Sequence, residues 1–296
     1  MILKSTFCLL LILNITSASS QSYERYYKLC NMADSLEYAG FPERSLDTFK
    51  AAFSTVNYVH SEKYVDAYHL AIKLNAFRDA HYFGKMAVIH SGKSSVLTTK
   101  SKAFRKSDAY KSLKDSLPDF LAVFEKRIHP DYVHLIDSLL YIDQYIIRGN
   151  RKYKGKFSMD ETKLPQNRFD LDRSNWELLL RWIDSVGFPS EQLVGAKAYD
   201  DAWAILHHNL RLPENQKHHA QLLAFVISGN YMPDDMFFWY EQFQLNVNGT
   251  TYFTTWDGDS SAENLKRIDA NRRAFYLKGI DSFILKKDGR SMTAKW

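Results

Sequence analysis

The apolar side chains of this chain recur at the three- and four-residue spacing of an α-helix, and this spacing constrains the fold more than any other feature. Near the N-terminus, Leu29, Ala33, Leu36 and Ala39 follow it, and Gly40 comes next. Glycine is common just after a helix ends. Because helical spacing continues in most of the long segments that follow, the sequence predicts an all-α protein.

The first twenty residues have the pattern of a signal peptide. Lys4 precedes an apolar run, residues 7–15, which is too short to span a bilayer. Small residues at 18–20 then precede Gln21, as they do at a cleavage site. We therefore expect residues 1–20 to be removed and the mature protein to be exported, either to a periplasm or as a secreted protein. No later run has the length and apolarity of a membrane span, so we expect no transmembrane segment after cleavage.

Cysteine content and charge narrow the class of protein further. Removal of the leader leaves Cys30 as the one cysteine, so the mature chain has no internal disulfide and depends on its packed core. The formal net charge is +5, and the basic excess is concentrated at residues 93–114 and 148–156. Such runs are more often solvated loops than nucleic-acid contacts, so we expect no nucleic-acid partner.

Two helical hairpins are predicted in residues 21–95. A shift of about 35 residues, close to the period of helix–turn–helix repeats, places Ala52 on Ala87 and Ser45 on Ala80. Small residues stand where two helices must approach closely. The pattern resembles tetratricopeptide repeats, although their usual tryptophan and proline positions are not matched. A plain helical bundle is the alternative.

The rest of the chain is predicted to form a basic linker with a connecting helix, residues 96–128, and a C-terminal helical domain, residues 129–296. All six tryptophans lie in the second of these segments, which supports a boundary between them. Ser174 and Glu177 have the spacing of a capping box and predict a helix start. Asn248-Gly249 favours a small β-hairpin at about residues 242–256.

Four residues are candidates for catalysis: His208, Asp143, Arg148 and Asp172. No complete catalytic motif is present in the sequence. An arginine binds anions bidentately, and a carboxylate or histidine serves as a base. The alternative is a buried ion-pair network that fixes the helices. His207-His208 and His218-His219 are a weaker metal hypothesis, because their spacing matches no ligand motif. We therefore expect no metal or cofactor.

Aromatic residues are concentrated at residues 236–243, with more at 252–256. Exposed, they would form a platform for sugars or for the apolar surface of a partner. Buried, they would form the core between a helix and the predicted hairpin, and we favour this interpretation because large aromatic side chains are usually buried.

Several short motifs occur in an order that resembles an uncharacterised bacterial family known as a domain of unknown function. The matching residues, over about residues 135–285, are Asp143-Gln144, Arg148, Asp172, Asn175, Gly187-Phe188-Pro189, Val194-Gly195, Ala202 to His208, Ile268-Asp269, Arg272 or Arg273, Leu277 and Gly279-Ile280. The resemblance implies a helical fold and candidate positions, and no particular reaction.

The chain departs from that family's pattern in three respects. One residue more than expected separates Asp143-Gln144 from Arg148, and His207 stands where glutamine is usual. The family's Asp-Arg and Gln-x-Tyr-Gly motifs are not matched, since Glu241-Gln242 and residues 251–254 occupy their places. If the family's activity depends on those motifs, it has been changed or lost in this chain.

Two functions remain open from the sequence, and whether the protein is an enzyme is undecided. The first, which we favour at this stage, is an exported helical scaffold that binds a protein or peptide partner in a groove of its repeats. The second is a hydrolase that acts on an envelope or extracellular polymer. In it His208 is the general base, Arg148 binds an anion, and Asp143 or Asp172 orients the histidine.

Overall fold

The computed structural model describes residues 23–149, 167–254 and 261–277. These residues form helices and connecting turns and contain no β-strand, which confirms the all-α prediction. None of the helices described is long and apolar enough to cross a membrane. The predicted signal peptide lies outside the described residues, so it stays a prediction.

The helices follow one another with short connections. In chain order they are α1 (residues 23–38), α2 (Pro42–Phe53), α3 (Ser61–Lys73), α4 (Phe77–Ser91), α5 (Lys102–Arg105), α6 (Asp108–Asp115), α7 (Leu117–Arg127), α8 (Pro130–Tyr141), α9 (Arg168–Val186), α10 (Glu191–Leu210), α11 (His219–Ile227), α12 (Pro233–Asn248) and α13 (Ala262–Ala274). A π-helical segment, Ile142–Ile147, continues α8, and 3-10 turns occur at Ser94–Leu97 and Pro213–His218.

The chain divides into two compact units. The terminal unit combines Met1–Asn57 with Arg211–Trp296, and the central unit is Tyr58–Leu210. This division differs from the predicted domains, whose boundaries follow residues 95 and 128. In particular, the two predicted repeat hairpins fall in different units, α1–α2 in the terminal unit and α3–α4 in the central unit. A repeat period therefore does not by itself decide which helices pack together.

In the terminal unit, α1 is tied to segments far along the chain. The Tyr27 hydroxyl donates to the Val226 carbonyl (3.1 Å). The Asn31 side-chain amide donates to the Tyr276 carbonyl (2.7 Å). Most of the aromatic cluster on α12 is buried, including Phe237, Trp239 and Phe243. We therefore interpret these rings as core, and not as a sugar-binding platform.

In the central unit, α4 lies at the middle of the helical packing. It packs against α3, α6, α7 and α10. Its small residues Ala80, Gly84 and Ala87 face this packing, and a Cβ on Gly84 would lie 2.9 Å from a methyl of Leu113. The tetratricopeptide-like arrangement stays a prediction, because one hairpin surrounded by other helices does not establish a repeat.

The predicted β-hairpin at residues 242–256 is absent from the part of that range that the structure describes, and the prediction is wrong. Asn248 is the last residue of α12, and Gly249 is its left-handed C-cap, with φ +67°. The Gly249 amide donates to the Leu245 carbonyl (3.1 Å). An Asn-Gly pair signals positive φ, which a helix C-cap requires as much as a tight hairpin turn does.

The predicted capping box at Ser174 and Glu177 is also wrong. The helix α9 begins at Arg168, and both residues lie within it. The Asn167 side chain caps this helix by accepting from the Phe169 amide (3.0 Å). A Ser-x-x-Glu spacing also arises on the exposed face of a helix, so it does not mark a start where a better cap precedes it. The helix ends at Val186, and Gly187 follows as its C-cap.

Candidate functional site

A π-helical turn places Asp143 and Arg148 on the same side of the chain. The Arg148 amide donates to the Asp143 carbonyl (3.2 Å), which is a bond between residues five apart. In a regular α-helix, with about 3.6 residues per turn, residues five apart point in clearly different directions. The π-turn absorbs the extra residue, and such turns are frequent at functional sites.

The side chains of Asp143, Arg148 and His208 meet in the central unit. The His208 Nδ1 atom lies 2.9 Å from Asp143 Oδ2 and 3.1 Å from Asp143 Oδ1. The Arg148 guanidinium donates to Asp143 Oδ1 through Nε (3.2 Å) and Nη2 (3.1 Å). His208 is carried by α10, which packs against α8, the helix that the π-turn continues. The sequence prediction that named these three residues thus describes groups that are in contact.

The electrostatics of the cluster favour an ionised carboxylate. Burial acts to raise the pKa of the Asp143 carboxyl. The hydrogen bond and charge of His208 and the guanidinium of Arg148 outweigh burial, and they hold this pKa below its ordinary value. Asp143 is therefore a buried negative charge at neutral pH, in contact with the His208 ring and the Arg148 guanidinium.

The three side chains differ in their exposure to solvent, and the carboxylate is the innermost of the three. The Asp143 side chain is 0 % exposed, whereas that of His208 is 20 % and that of Arg148 is 30 % exposed. The buried carboxylate is thus covered by two side chains that are themselves partly exposed. The cluster is therefore not wholly buried in the core.

Gln144 is part of the cluster and was not among the predicted site residues. Its side-chain amide donates to Asp143 Oδ2 (2.6 Å). The Asp143 carboxylate thus accepts from Gln144 and Arg148 and contacts His208 Nδ1, and these contacts fix its orientation. The signal that pointed to Gln144 was present in the sequence, as the second residue of the Asp-Gln pair in the family resemblance.

The fourth predicted residue, Asp172, lies on a neighbouring element. It is half-buried on α9, which packs against the π-helical segment. On the same helix, the buried Asn175 donates to the Leu139 carbonyl (3.1 Å), near the point where α8 passes into the π-turn. Asn175 thereby ties α9 to the site's supporting helix, and a catalytic contribution of Asp172 stays a prediction.

The paired histidines do not gather into a metal site. Within the described ranges, no group of three or more histidine, cysteine, aspartate or glutamate residues has the geometry to hold a metal ion. His219, on the terminal unit, packs against the rings of Trp239 (4.6 Å) and Phe243 (4.4 Å). Cys30 is buried, as expected for a small apolar residue.

A second polar cluster in the central unit is built differently. The carboxylate of Glu191, at the start of α10, accepts from the Ser61 amide (2.9 Å) and hydroxyl, and lies 3.4 Å from His60 Nδ1. Arg127 donates to the carbonyls of His90 (2.8 Å) and Gln192. Glu191, His60 and His90 are all buried. These groups join α3, α4, α7 and α10, so we interpret this second cluster as structural. No sequence pattern indicated it, since its members are far apart in the chain.

Acidification is expected to destabilise the central unit through His90. Burial lowers the pKa of His90 from 6.5 to about 4, although its bond to the Val59 carbonyl (2.7 Å) acts in the opposite direction. Arg127, Glu191 and His60 face the same ring. As the pH falls, His90 is protonated in the unfolded chain before it is protonated in the folded protein. Its contribution to the free energy of unfolding is therefore complete above pH 6.5 and is lost as the pH drops towards 4. The loss is on the order of 3 kcal/mol.

Urea titrations across this pH range measure the effect. A His90→Asn variant keeps a donor for the Val59 carbonyl and removes the titrating ring, so its stability should fall less steeply than that of the wild type. The exposed His134 serves as a control, because His134→Asn should leave the wild-type profile unchanged. Parallel profiles for wild type and His90→Asn would refute this origin of the pH dependence.

Comparison of the chain with protein-family models, with curated proteins and with solved structures gives no match. The family resemblance described from the sequence accordingly stays a prediction. The chemistry of the site has to be argued from its own residues.

Proposed function

We propose that the central unit is a hydrolase that acts on an anionic envelope or extracellular polymer, with His208 as general base. The observation that carries this proposal is the 2.9 Å contact between His208 Nδ1 and the buried carboxylate of Asp143. This arrangement reproduces the histidine–carboxylate half of a hydrolytic triad, in which the carboxylate orients the ring and stabilises its protonated form.

Two neighbours compete for Nδ1 of His208: the Asp143 carboxylate accepts from a protonated Nδ1 (2.9 Å), whereas the Arg148 Nε–H, 3.0 Å away, donates to an unprotonated one. We assign the Nδ1 proton to the bond with Asp143, because the Arg148 Nε–H has Asp143 Oδ1 as an alternative acceptor (3.2 Å). On this assignment Nε2 is the ring nitrogen that would accept a proton from an attacking water molecule. The resulting imidazolium would lie beside the buried carboxylate of Asp143, whose negative charge stabilises it.

Arg148 supplies positive charge at the open side of the cluster. Its side chain holds Asp143 through Nε and Nη2, and 30 % of that side chain is exposed. An arginine already oriented by a carboxylate binds an anionic group with little further loss of side-chain entropy. This charge next to His208 favours a substrate with a phosphate, sulfate or carboxylate close to the scissile bond, and it would stabilise negative charge that develops during attack.

Binding of a protein or peptide in a repeat groove is the second candidate. The α3–α4 hairpin favours it, because helical hairpins build concave binding surfaces when they repeat. However, α4 also packs against α6, α7 and α10, which cover much of its surface. We therefore place the hydrolase first, in contrast to the preference drawn from the sequence.

The test is hydrolysis by the purified mature protein of a panel of substrates. The panel contains chromogenic carboxylate, phosphate and sulfate esters, a phosphodiester, glycosides of uronic acids, and intact acidic polymers. We expect turnover of at least one anionic member above the buffer rate, and loss of that turnover in His208→Gln. Failure of every member, or equal rates in wild type and His208→Gln, would contradict the proposal.

A further inference from the structure

Of the two basic runs of the chain, residues 93–114 and 148–156, the first lies on described helices. Residues 100–115 contain six basic and two acidic residues, a net charge of +4, whereas the complete chain carries +5. The six basic residues are Lys100, Lys102, Arg105, Lys106, Lys111 and Lys114. We call them the basic face. The two acidic residues are Asp108 and Asp115.

The basic face is exposed and not neutralised. All six of its side chains are exposed, and none forms an ion pair with another described residue. Other lysines of the same unit behave differently, since Lys93 pairs with Asp200 (3.2 Å) and Lys197 with Asp137 (2.8 Å). The field of six unpaired charges in a short stretch therefore extends into solvent.

The segment that carries these charges is folded. Ser101 and Ser107 cap α5 and α6 by accepting from the amides of Phe104 (3.2 Å) and Tyr110 (3.3 Å). Phe104 and Leu113 are 0 % exposed, and the Phe104 ring contacts Tyr68 on α3. The apolar sides of both helices are thus fixed in the core, and the basic side chains stand on a supported surface.

The same packing decides between possible anionic partners. Insertion into a lipid surface requires large exposed apolar side chains beside the charges, but on α5 and α6 Phe104 and Leu113 are buried and Tyr110 is half-buried. Binding of single-stranded nucleic acid relies on exposed aromatic rings for stacking. None of the exposed large apolar side chains among the described residues lies within residues 100–115. A polymer that presents only charge and hydroxyl groups has neither requirement.

We propose that the basic face binds an acidic polysaccharide through its sulfate or carboxylate groups. The proposal does not depend on the Asp143–His208 chemistry, because a surface of unpaired charges binds a chain whether or not that chain is cleaved. If both proposals hold, the basic face raises the local concentration of polymer on the unit that contains the site. The binding is electrostatic, so it weakens steeply with added salt.

The experiment measures binding of fluorescent heparin and alginate to the full mature protein by anisotropy at low and physiological salt. The test variant is Lys102→Gln/Lys106→Gln/Lys111→Gln. The matched control, Lys28→Gln/Lys217→Gln/Lys266→Gln, removes the same charge from exposed lysines of the terminal unit. Neutral dextran, single-stranded DNA and vesicles of anionic phospholipid are the comparison ligands, and thermal melting confirms that each variant is folded.

We expect both acidic polysaccharides to bind the wild type and the control, and the test variant to bind on the order of tenfold more weakly. Dextran should not bind, and DNA and vesicles should bind more weakly than heparin. Equal affinities of the test variant and the control would overturn the proposal, as would tighter binding of DNA or of vesicles. Because no catalysis is measured, these results are independent of the hydrolase assay.

Discussion

Replacement of His208 by glutamine is expected to lower the rate of hydrolysis about 10³- to 10⁴-fold, with little change in KM. Glutamine keeps a similar volume and an amide that can still donate to Asp143, but it has no basic nitrogen for proton abstraction. The rate should therefore fall because the chemical step loses its base, and not because the substrate is released more easily. Initial rates on the responsive substrate measure the effect.

The neighbouring histidine provides the control for this prediction. His207→Gln introduces the residue that is usual in the resembling family, on the same turn of α10, and should retain most of the activity. Asp143→Asn is a companion variant. Its side-chain amide can donate to His208 Nδ1, which favours the Nε2-protonated tautomer and so removes the base. Full activity in both His208→Gln and Asp143→Asn, with unchanged melting temperatures, would remove the basis of the mechanism.

Replacement of Glu241 by alanine is expected to destabilise the terminal unit by about 4 kcal/mol. The Glu241 side chain is fully buried on α12 and accepts from the amides of Tyr252 (2.9 Å), Phe253 (2.8 Å) and Thr254 (2.9 Å). The Thr254 hydroxyl also donates to it (2.5 Å). Alanine would leave the buried amides of Phe253 and Thr254 and the half-buried amide of Tyr252 without an acceptor, and the desolvation of these groups would not be compensated.

Equilibrium denaturation in urea measures this loss. Glu214→Ala is a matched control, because Glu214 is an exposed glutamate of the same unit and should change stability by less than about 0.5 kcal/mol. Glu241→Gln should give an intermediate loss, since one oxygen remains as an acceptor and the other becomes a donor that faces amides. A Glu241→Ala variant as stable as the control would show that the loop of residues 251–254 does not depend on this carboxylate.

The helices were predictable because their signals are local. Proline is the first residue of α2, α8 and α12, and glycine follows the last residue of α4 and α9. Both residues have strong backbone preferences that mark such positions in a sequence. The failure at Asn248-Gly249 has the same origin. The Asn248-Gly249 pair correctly indicated a residue with positive φ. It did not show whether the preceding residues form a helix or a strand, because that choice depends on contacts with distant parts of the chain.

The candidate site was predictable only in part. Asp143, Arg148 and His208 were named from residue chemistry and the family resemblance, yet nothing in the sequence showed that a π-turn brings residues five apart onto one side. The buried groups Glu191 and Glu241 were missed as anchors altogether. A buried carboxylate leaves no local periodic signal, because its hydrogen-bond donors come from segments that the fold brings together.

The central claim is that Nε2 of His208 is an unprotonated base, with the Nδ1 proton bonded to Asp143. Long-range ¹⁵N–¹H correlation NMR of the histidine rings tests it directly, recorded at about pH 8, where an ordinary imidazole is neutral. The His208 resonances are assigned by their loss in His208→Gln. The account predicts the Nδ1-protonated tautomer for His208, and a change of tautomer in Asp143→Asn. An Nε2-protonated ring in the wild type would contradict it, because such a ring has no lone pair available for an attacking water molecule.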